Sequence, residues 1–127
     1  MAGFCNSIEN SLLAHFFGGA AFAQPSAWYI ALHTQDPTDA GNVGEVTGGS
    51  YARQNCTSWA APSNGLVDNA AEVNFAGMPA TTVTHFTIWS AVSGGTPYIN
   101  GALLQSKTTL AGETLRLPIG DLDITLD

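Results

Sequence analysis

The residues best suited to chemistry lie in one stretch of the chain, HTQDPTDAGNVGEVTGGSYARQ, which begins at residue 33. The potential metal ligands in this stretch are His33, Asp36, Asp39 and Glu45. Their spacing argues against a metal site, because Asp36 and Pro37 are typical of a turn in which the aspartate accepts a hydrogen bond from nearby backbone. The acidic residues also lack the alternating positions of an EF-hand loop. We therefore interpret the stretch as a long ordered connection between two strands, and we predict no metal and no cofactor.

The rest of the sequence offers little for catalysis. The glycines of the same stretch match no phosphate-binding pattern, and no G-x-S-x-G nucleophile elbow occurs. His15 and His85 fall within predicted elements, where we interpret them as hydrogen-bonded structural residues. A last group of acids alternates with apolar residues, which is typical of the solvated face of a final strand; a calcium site is the alternative. These acids are Asp121, Asp123 and Asp127. We predict that the protein is not an enzyme.

The charge balance limits the partners. Ten acidic residues against three basic ones give a formal net charge of −7. Three scattered bases cannot form the basic patch that nucleic-acid binding requires, and an acidic protein is repelled by anionic membrane surfaces. We therefore predict neither nucleic acid nor membrane as a partner. Charged residues make up only 10% of the chain, so its surface of small residues suits contact with neighbouring copies or with another protein.

The two cysteines, Cys5 and Cys56, lack the paired spacing of a zinc site. We interpret them as two small buried thiols. A disulfide between them is the alternative, and two cysteines alone do not establish it.

One helix is predicted, over about residues 6–17. Asn6 followed by Glu9 is a capping-box pattern, and the glycine at 18 suits the left-handed conformation that often ends a helix. The apolar residues on one predicted face are Ile8, Leu12, Leu13, Phe16 and Phe17. A helix this short needs something to pack against. The last four of these residues are therefore our best candidates for contact, either with their own domain or with a neighbouring subunit.

Further along the chain the apolar pattern changes to a period of two. WYIALHT places Trp28, Ile30 and Leu32 on one face of a strand, and in TVTHFTIWSA the alternation sets Val83 and Phe86 on opposite faces. The other predicted strands lie in SYARQNCTSW, GLVD, AEVNF, TPYINGALL, ETLRLPI and DLDITLD.

About eight short strands without crossover helices predict an antiparallel β-sandwich, either jelly-roll-like or immunoglobulin-like. Neither an internal repeat nor a linker interrupts the pattern. We therefore predict a single β-sandwich domain over residues 1–127, with the helix at its N-terminal end.

The sequence resembles a family of small virion proteins of tailed phages. The likeness rests on YIALHTQDPTDAG and GEVTGGSYARQ, that is, Leu-His-Thr-x-Asp-Pro, a glycine-rich connection and Gly-Gly-x-Tyr-Ala-Arg. It continues through NGLVDNAAEVNF, VTHFTIWSAVSGG and GDLDITLD, and so covers nearly the whole chain. Members are often described as tail-fibre proteins, and some resemble capsid decoration proteins. The resemblance implies no catalytic residue, and it implies that the matching positions define the fold: His33, Asp36, Pro37, Tyr51, Ala52, Arg53, His85 and Phe86.

We accordingly expect a non-enzymatic virion protein. The favoured role is a trimeric capsid decoration (cement) protein that binds the outside of the head and bridges major capsid subunits, because the chain lacks the repeats of a fibre shaft. The first alternative, a tail-fibre or tail-tip subunit, would place the protein on the tail. The second is a carbohydrate-binding module that uses Trp28, Trp59 and Trp89. Arg53 is expected to pair with an acid in or beside the long loop, where an exposed pair would contribute only about 0–1 kcal/mol.

Overall fold

Nine strands and one helix make up the part of the chain that the computed structural model describes, residues 2–126. In chain order they are β1 (Ala2–Phe4), α1 (Asn6–Phe16), β2 (Tyr29–His33), β3 (Gln54–Asn55), β4 (Leu66–Val67), β5 (Val73–Phe75), β6 (Thr81–Trp89), β7 (Pro97–Thr109), β8 (Leu115–Leu117) and β9 (Ile124–Thr125). The predicted mainly β class with a short N-terminal helix is confirmed. Within these residues, no helix has the length and apolar character needed to cross a membrane.

The strands form two sheets of unequal size. Seven strands make a sheet in the order β3-β2-β6-β7-β1-β9-β4, while β5 and β8 form a two-stranded sheet. The pairs are antiparallel except β1 and β9, which are parallel with Ala2 opposite Ile124. The expectation of a purely antiparallel arrangement is wrong at this pair. Nearly the whole chain connects β1 to β9, so their parallel pairing needs no local crossover helix.

A core of apolar side chains joins the two sheets. Across β2 and β6, Ile30 lies opposite Ile88 and Leu32 lies opposite Phe86, and all four side chains are buried. The two-stranded sheet contributes Val73, Phe75, Leu115 and Leu117 to the same cluster. Each such side chain contributes about 1.5–3 kcal/mol when fully buried. The alternating pattern of the sequence therefore specifies the face of β2 that meets the core.

Strand β6 departs from regular alternation near its start. Between Val83 and His85 the facing positions on β7 jump from Lys107 to Ala102, so β7 bulges away from the ladder there. Val83 is fully buried in the same core as Phe86. The prediction that these two side chains lie on opposite faces is wrong, because both join the same core cluster, on either side of an irregularity in the ladder.

Helix α1 begins at Asn6, but Asn6 does not cap it. The capping position is held by Cys5, whose side chain makes no capping hydrogen bond. The backbone N–H of Asn6 donates instead to the carbonyl oxygen of Asp39 at 3.1 Å. The predicted capping box is wrong because the long loop supplies the acceptor. At the other end, Gly18 follows the helix with a φ of 84°, the left-handed conformation that the sequence predicts.

Gly49 marks a close approach between the long loop and the turn before β6. Its φ is +55°, and a Cβ at this position would lie 2.5 Å from the carbonyl oxygen of Gly77. That oxygen also accepts the backbone N–H of Ser50 at 2.8 Å. Both the backbone conformation and the available space therefore require glycine here.

Gly49→Ala is expected to lower the free energy of unfolding by about 2–4 kcal/mol, since the left-handed conformation and the backbone clash each add a cost. Gly18→Ala is the matched control, because its φ is +84° but nothing lies within 4 Å of an added Cβ. We expect it to lose only the conformational part, about 1–2 kcal/mol. Urea denaturation of both variants measures the difference, and equal losses would contradict the close approach to Gly77.

Candidate functional site

The connection from β2 to β3, residues 34–53, completes an edge of the larger sheet. Leu32 of β2 accepts a hydrogen bond from the N–H of Val46 at 2.9 Å, and its own N–H donates to the hydroxyl oxygen of Tyr51 at 3.0 Å. Unpaired strand edges attract other strands, so native proteins cover them. The loop provides that cover where β3 stops.

The strand predicted over residues 50–59 is much shorter in the structure. Only Gln54–Asn55 pairs with β2. Tyr51 reaches the neighbouring strand through its side-chain hydroxyl rather than through its backbone, so the ladder does not extend to it.

Glu45 is the centre of the polar contacts within this loop. Its Oε1 accepts from Nη2 of Arg53 at 2.8 Å, and its Oε2 accepts from Nε of Arg53 at 2.9 Å. The hydroxyl of Tyr51 donates to the same Oε2 at 2.9 Å. The predicted pairing of Arg53 with an acid of the loop is confirmed. The pair is mostly shielded from water, with side-chain exposures of 9% for Arg53 and 28% for Glu45. The contribution of about 0–1 kcal/mol to stability that is expected of an exposed pair therefore does not apply.

The same arginine fastens the loop to the turn after β6. Nη1 of Arg53 donates to the carbonyl oxygens of Ala91 at 3.1 Å and Gly94 at 2.9 Å. The guanidinium carbon lies 4.0 Å from the ring centroid of Trp89, a cation–π arrangement. Arg53 therefore joins three separate segments of the chain.

His33 forms a second polar cluster beside the first. Its Nδ1 lies 2.6 Å from the carbonyl oxygen of Val43, so Nδ1 carries the proton and donates. Its Nε2 then accepts from the hydroxyl of Thr87 at 2.8 Å, while the indole N–H of Trp89 donates to that hydroxyl oxygen at 2.6 Å. The neutral imidazole satisfies both of its nitrogen atoms in a fully buried position.

Burial and pairing fix the charge states of this network. Burial lowers the pKa of His33 below 6.5, which favours the neutral form. Burial alone would raise the pKa of Glu45, but hydrogen bonds from Arg53 and Tyr51 outweigh it, and the pKa lies below its ordinary value. At neutral pH the network thus contains one ion pair and one uncharged histidine.

The four potential metal ligands are not gathered around a common point. Oδ1 of Asp36 accepts the backbone N–H of Thr38 at 2.9 Å, which is the turn that the sequence predicts. Pro37 is buried beside it, and Asp39 is engaged through its carbonyl oxygen at the start of α1. Within residues 2–126, no group of three or more His, Cys, Asp or Glu side chains is placed to hold a metal ion.

A comparison with known protein families gives the family of the chain. The family model described as "Podophage GP4 fiber I protein gp80" matches residues 3–125. The chain belongs to this gp80 family. No curated protein matches it. The resemblance to a phage virion protein is therefore confirmed at the level of a virion structural family, and the matched range includes the whole Glu45–Arg53 network.

This gp80-family chain exposes most of the helix face that the sequence predicts for contact. Ile8 is the buried residue of the helix, and Leu12 is half-buried. Leu13, Phe16 and Phe17, which we name the aromatic knob, are exposed by 57%, 79% and 77%. The two phenyl rings pack edge to face with their centroids 5.0 Å apart.

An apolar groove of about 590 Å³ lies between the helix, the segment after it and the larger sheet. Its lining includes Phe4, Ile8, Phe22, Pro25, Trp28, Trp59 and Tyr98, and we name it the apolar groove. Trp89 is not among its residues, since it lies under Arg53. The three tryptophans therefore do not form one stacking platform. Sequence reasoning missed the groove because its walls come from segments far apart in the chain.

The sequence also did not predict that two acidic residues lie next to each other. The carboxyl group of Asp123 lies next to that of Asp68, and this neighbouring acid, with burial, raises the pKa of Asp68 to about 6. Only Asp123 belongs to the acidic group noticed near the end of the chain, and Asp127 lies outside the described residues. The residues are distant in sequence, so no local pattern indicates the pair.

Both cysteines are free and buried, as we interpreted them from the sequence. Burial raises the pKa of the Cys5 thiol and of the Cys56 thiol. The Sγ atom of Cys5 accepts a weak hydrogen bond from Nδ2 of Asn100 at 3.4 Å. Neither thiol has the character of a nucleophile.

Arg53→Ala is expected to lower the free energy of unfolding by about 2–4 kcal/mol, because it leaves Glu45 and two backbone carbonyls without their partner. Arg116→Ala is the matched control, since Arg116 and Glu72 form an exposed pair with side-chain exposures of 61% and 38%. We expect about 0–1 kcal/mol for it. Chemical denaturation measures both, and similar small losses would show that the loop does not depend on Arg53.

Stability should also depend on the protonation of His33. The folded-state pKa lies below 6.5, so the unfolded chain takes up the proton first and stability falls as the pH drops below that value. Asp68 acts in the opposite direction: its pKa is raised from 3.8 to about 6, so its contribution is present at low pH and is lost as the pH rises through about 6. Glu45 does not affect this range, because its folded pKa lies below its ordinary value of 4.5: its stabilising contribution is fully present above about 4.5 and is lost only as the pH falls below that value.

Asp123→Asn separates the two effects. We expect its melting temperature to fall more steeply than that of the unchanged protein as the pH is lowered from 6.5, because the compensating contribution of Asp68 is gone. Adding His33→Gln to this variant should remove most of that slope. Melting curves followed by circular dichroism measure it, and a slope that survives the histidine substitution would rule out His33 as its source.

Proposed function

We propose that this protein is a structural subunit of a fibre-type appendage on the outside of a podophage virion. The observation that carries the proposal is the match of residues 3–125 to a podophage fibre protein. The site supports a structural role, because Glu45, Arg53 and Tyr51 bond to one another and to the backbone. These groups hold a loop in place, and none of them is left free to act on a substrate.

Capsid decoration is the second candidate. The chain contains no internal repeat from which a long shaft would be built, and its low charge suits close packing against neighbouring subunits. In this role the protein would bind the major capsid protein from outside and bridge adjacent copies of it. A trimer is the assembly that we propose for either location.

A carbohydrate-binding module is less well supported than either virion role. Such modules commonly use exposed aromatic rings, and one of the three tryptophans, Trp89, is buried beneath Arg53. The other two, Trp28 and Trp59, are half-buried and pack against the core.

The location on the virion is tested by immunogold labelling of intact particles with an antibody against this chain. Gold confined to the tail, together with loss of adsorption when the protein is depleted, is the result expected of a fibre subunit. Gold spread over the head, with depleted heads that release DNA at a lower temperature, would overturn the fibre role in favour of decoration. Label that is absent from purified virions would contradict both.

A further inference from the structure

The aromatic knob and the apolar groove are two surfaces that the chain itself leaves without a partner. We propose that the knob of one copy docks into the groove of a second copy, so that the protein assembles by a head-to-tail contact. This contact involves only described residues, and it can form whether the protein lies on the head or on the tail.

The distribution of charge favours a second copy as the occupant. Neither Asp, Glu, Lys nor Arg occurs between Glu9 and Asp36, the part of the chain that contains the knob and one wall of the groove. The remaining groove residues are also uncharged. Copies with a net charge of −7 repel one another, so they can associate closely only through neutral surfaces. A positively charged partner would instead be recognised by acidic side chains, which this region lacks.

The groove is large enough for the knob and is not filled by the chain's own rings. Its volume of about 590 Å³ lies within the range of about 300–1,000 Å³ that is typical of clefts that bind compact ligands. The backbone N–H of Phe22, which lines the groove, donates to Nδ1 of His15 at 3.1 Å. This bond ties the segment after α1 back to the helix, while Phe16 and Phe17 stay exposed.

A contact between two different surfaces has a definite consequence for assembly. Each copy offers one knob and one groove, so the contact is heterologous and leads to a closed ring or to a filament. The knob alone is smaller than the roughly 800 Å² that each partner contributes to a standard interface. We therefore expect reversible association that depends on protein concentration.

Sedimentation equilibrium of the full chain tests the proposal. The unchanged protein should reach a multiple of its 13.2 kDa mass as its concentration rises. Phe16→Ser with Phe17→Ser should reduce it to the monomer. Leu110→Ser with Ile119→Ser is the matched control, since both residues are exposed by 68% outside the knob and the groove, and it should leave the mass unchanged.

Mixing two variants identifies the groove as the site that receives the knob. Thr57 is exposed and lines the groove, so Thr57→Arg should block docking by adding bulk and charge, while Thr114→Arg at another exposed position should not. Each blocked variant alone should be monomeric. Their mixture should form dimers and nothing larger, because one variant supplies an intact groove and the other supplies an intact knob.

Three results would overturn the proposal, provided that circular dichroism shows the variants to be folded. The first is an unchanged protein that stays monomeric up to millimolar concentration. The second is assembly that survives the loss of the phenylalanines. The third is a knob-deficient variant that is monomeric while Thr57→Arg still assembles, which would show that the knob binds elsewhere.

Discussion

The paired charges of Arg53 and Glu45 are the interaction on which the conformation of the long loop depends. Arg53 is largely shielded from water, and it contacts Glu45, the turn after β6 and the ring of Trp89. A buried guanidinium is tolerated only when its donors have partners, and the loop supplies them. The ordered loop also contacts the helix, because the carbonyl oxygen of Asp39 accepts the first N–H of α1. The loop that the ion pair orders thus also helps to fix where the helix begins.

The sequence predicts the elements of this structure better than the contacts between them. The alternation of Ile30 and Leu32 identifies a core-facing strand because one side of β2 meets one cluster of apolar residues. The pairing of Arg53 with an acidic residue could be predicted, because the chain has only three basic residues and ten acidic ones. The choice of Glu45 as the partner and the shielding of the pair from water both depend on how the loop folds back. No local sequence pattern predicts that conformation.

The predictions that were wrong or missing have a common physical origin. Asn6 has the right type and position for a cap, but a carbonyl from another part of the chain competes successfully for the same N–H. Val83 follows the strand pattern up to a bulge whose extra residues belong to β7. Asp68 and Asp123 meet only after β4 and β9 have paired. In each case a contact between distant residues overrides a local preference, and such contacts become visible only in the folded chain.

The two buried thiols have a consequence for the life of the particle outside the cell. A virion is assembled in one redox environment and then persists in another. Cys5 and Cys56 are 0% and 1% exposed, and the structure contains both as free thiols. Oxidation proceeds through an accessible thiolate, and burial opposes both access and ionisation. Neither cysteine sulfur is therefore accessible to oxidants, so ageing of the protein should begin elsewhere than at its cysteines.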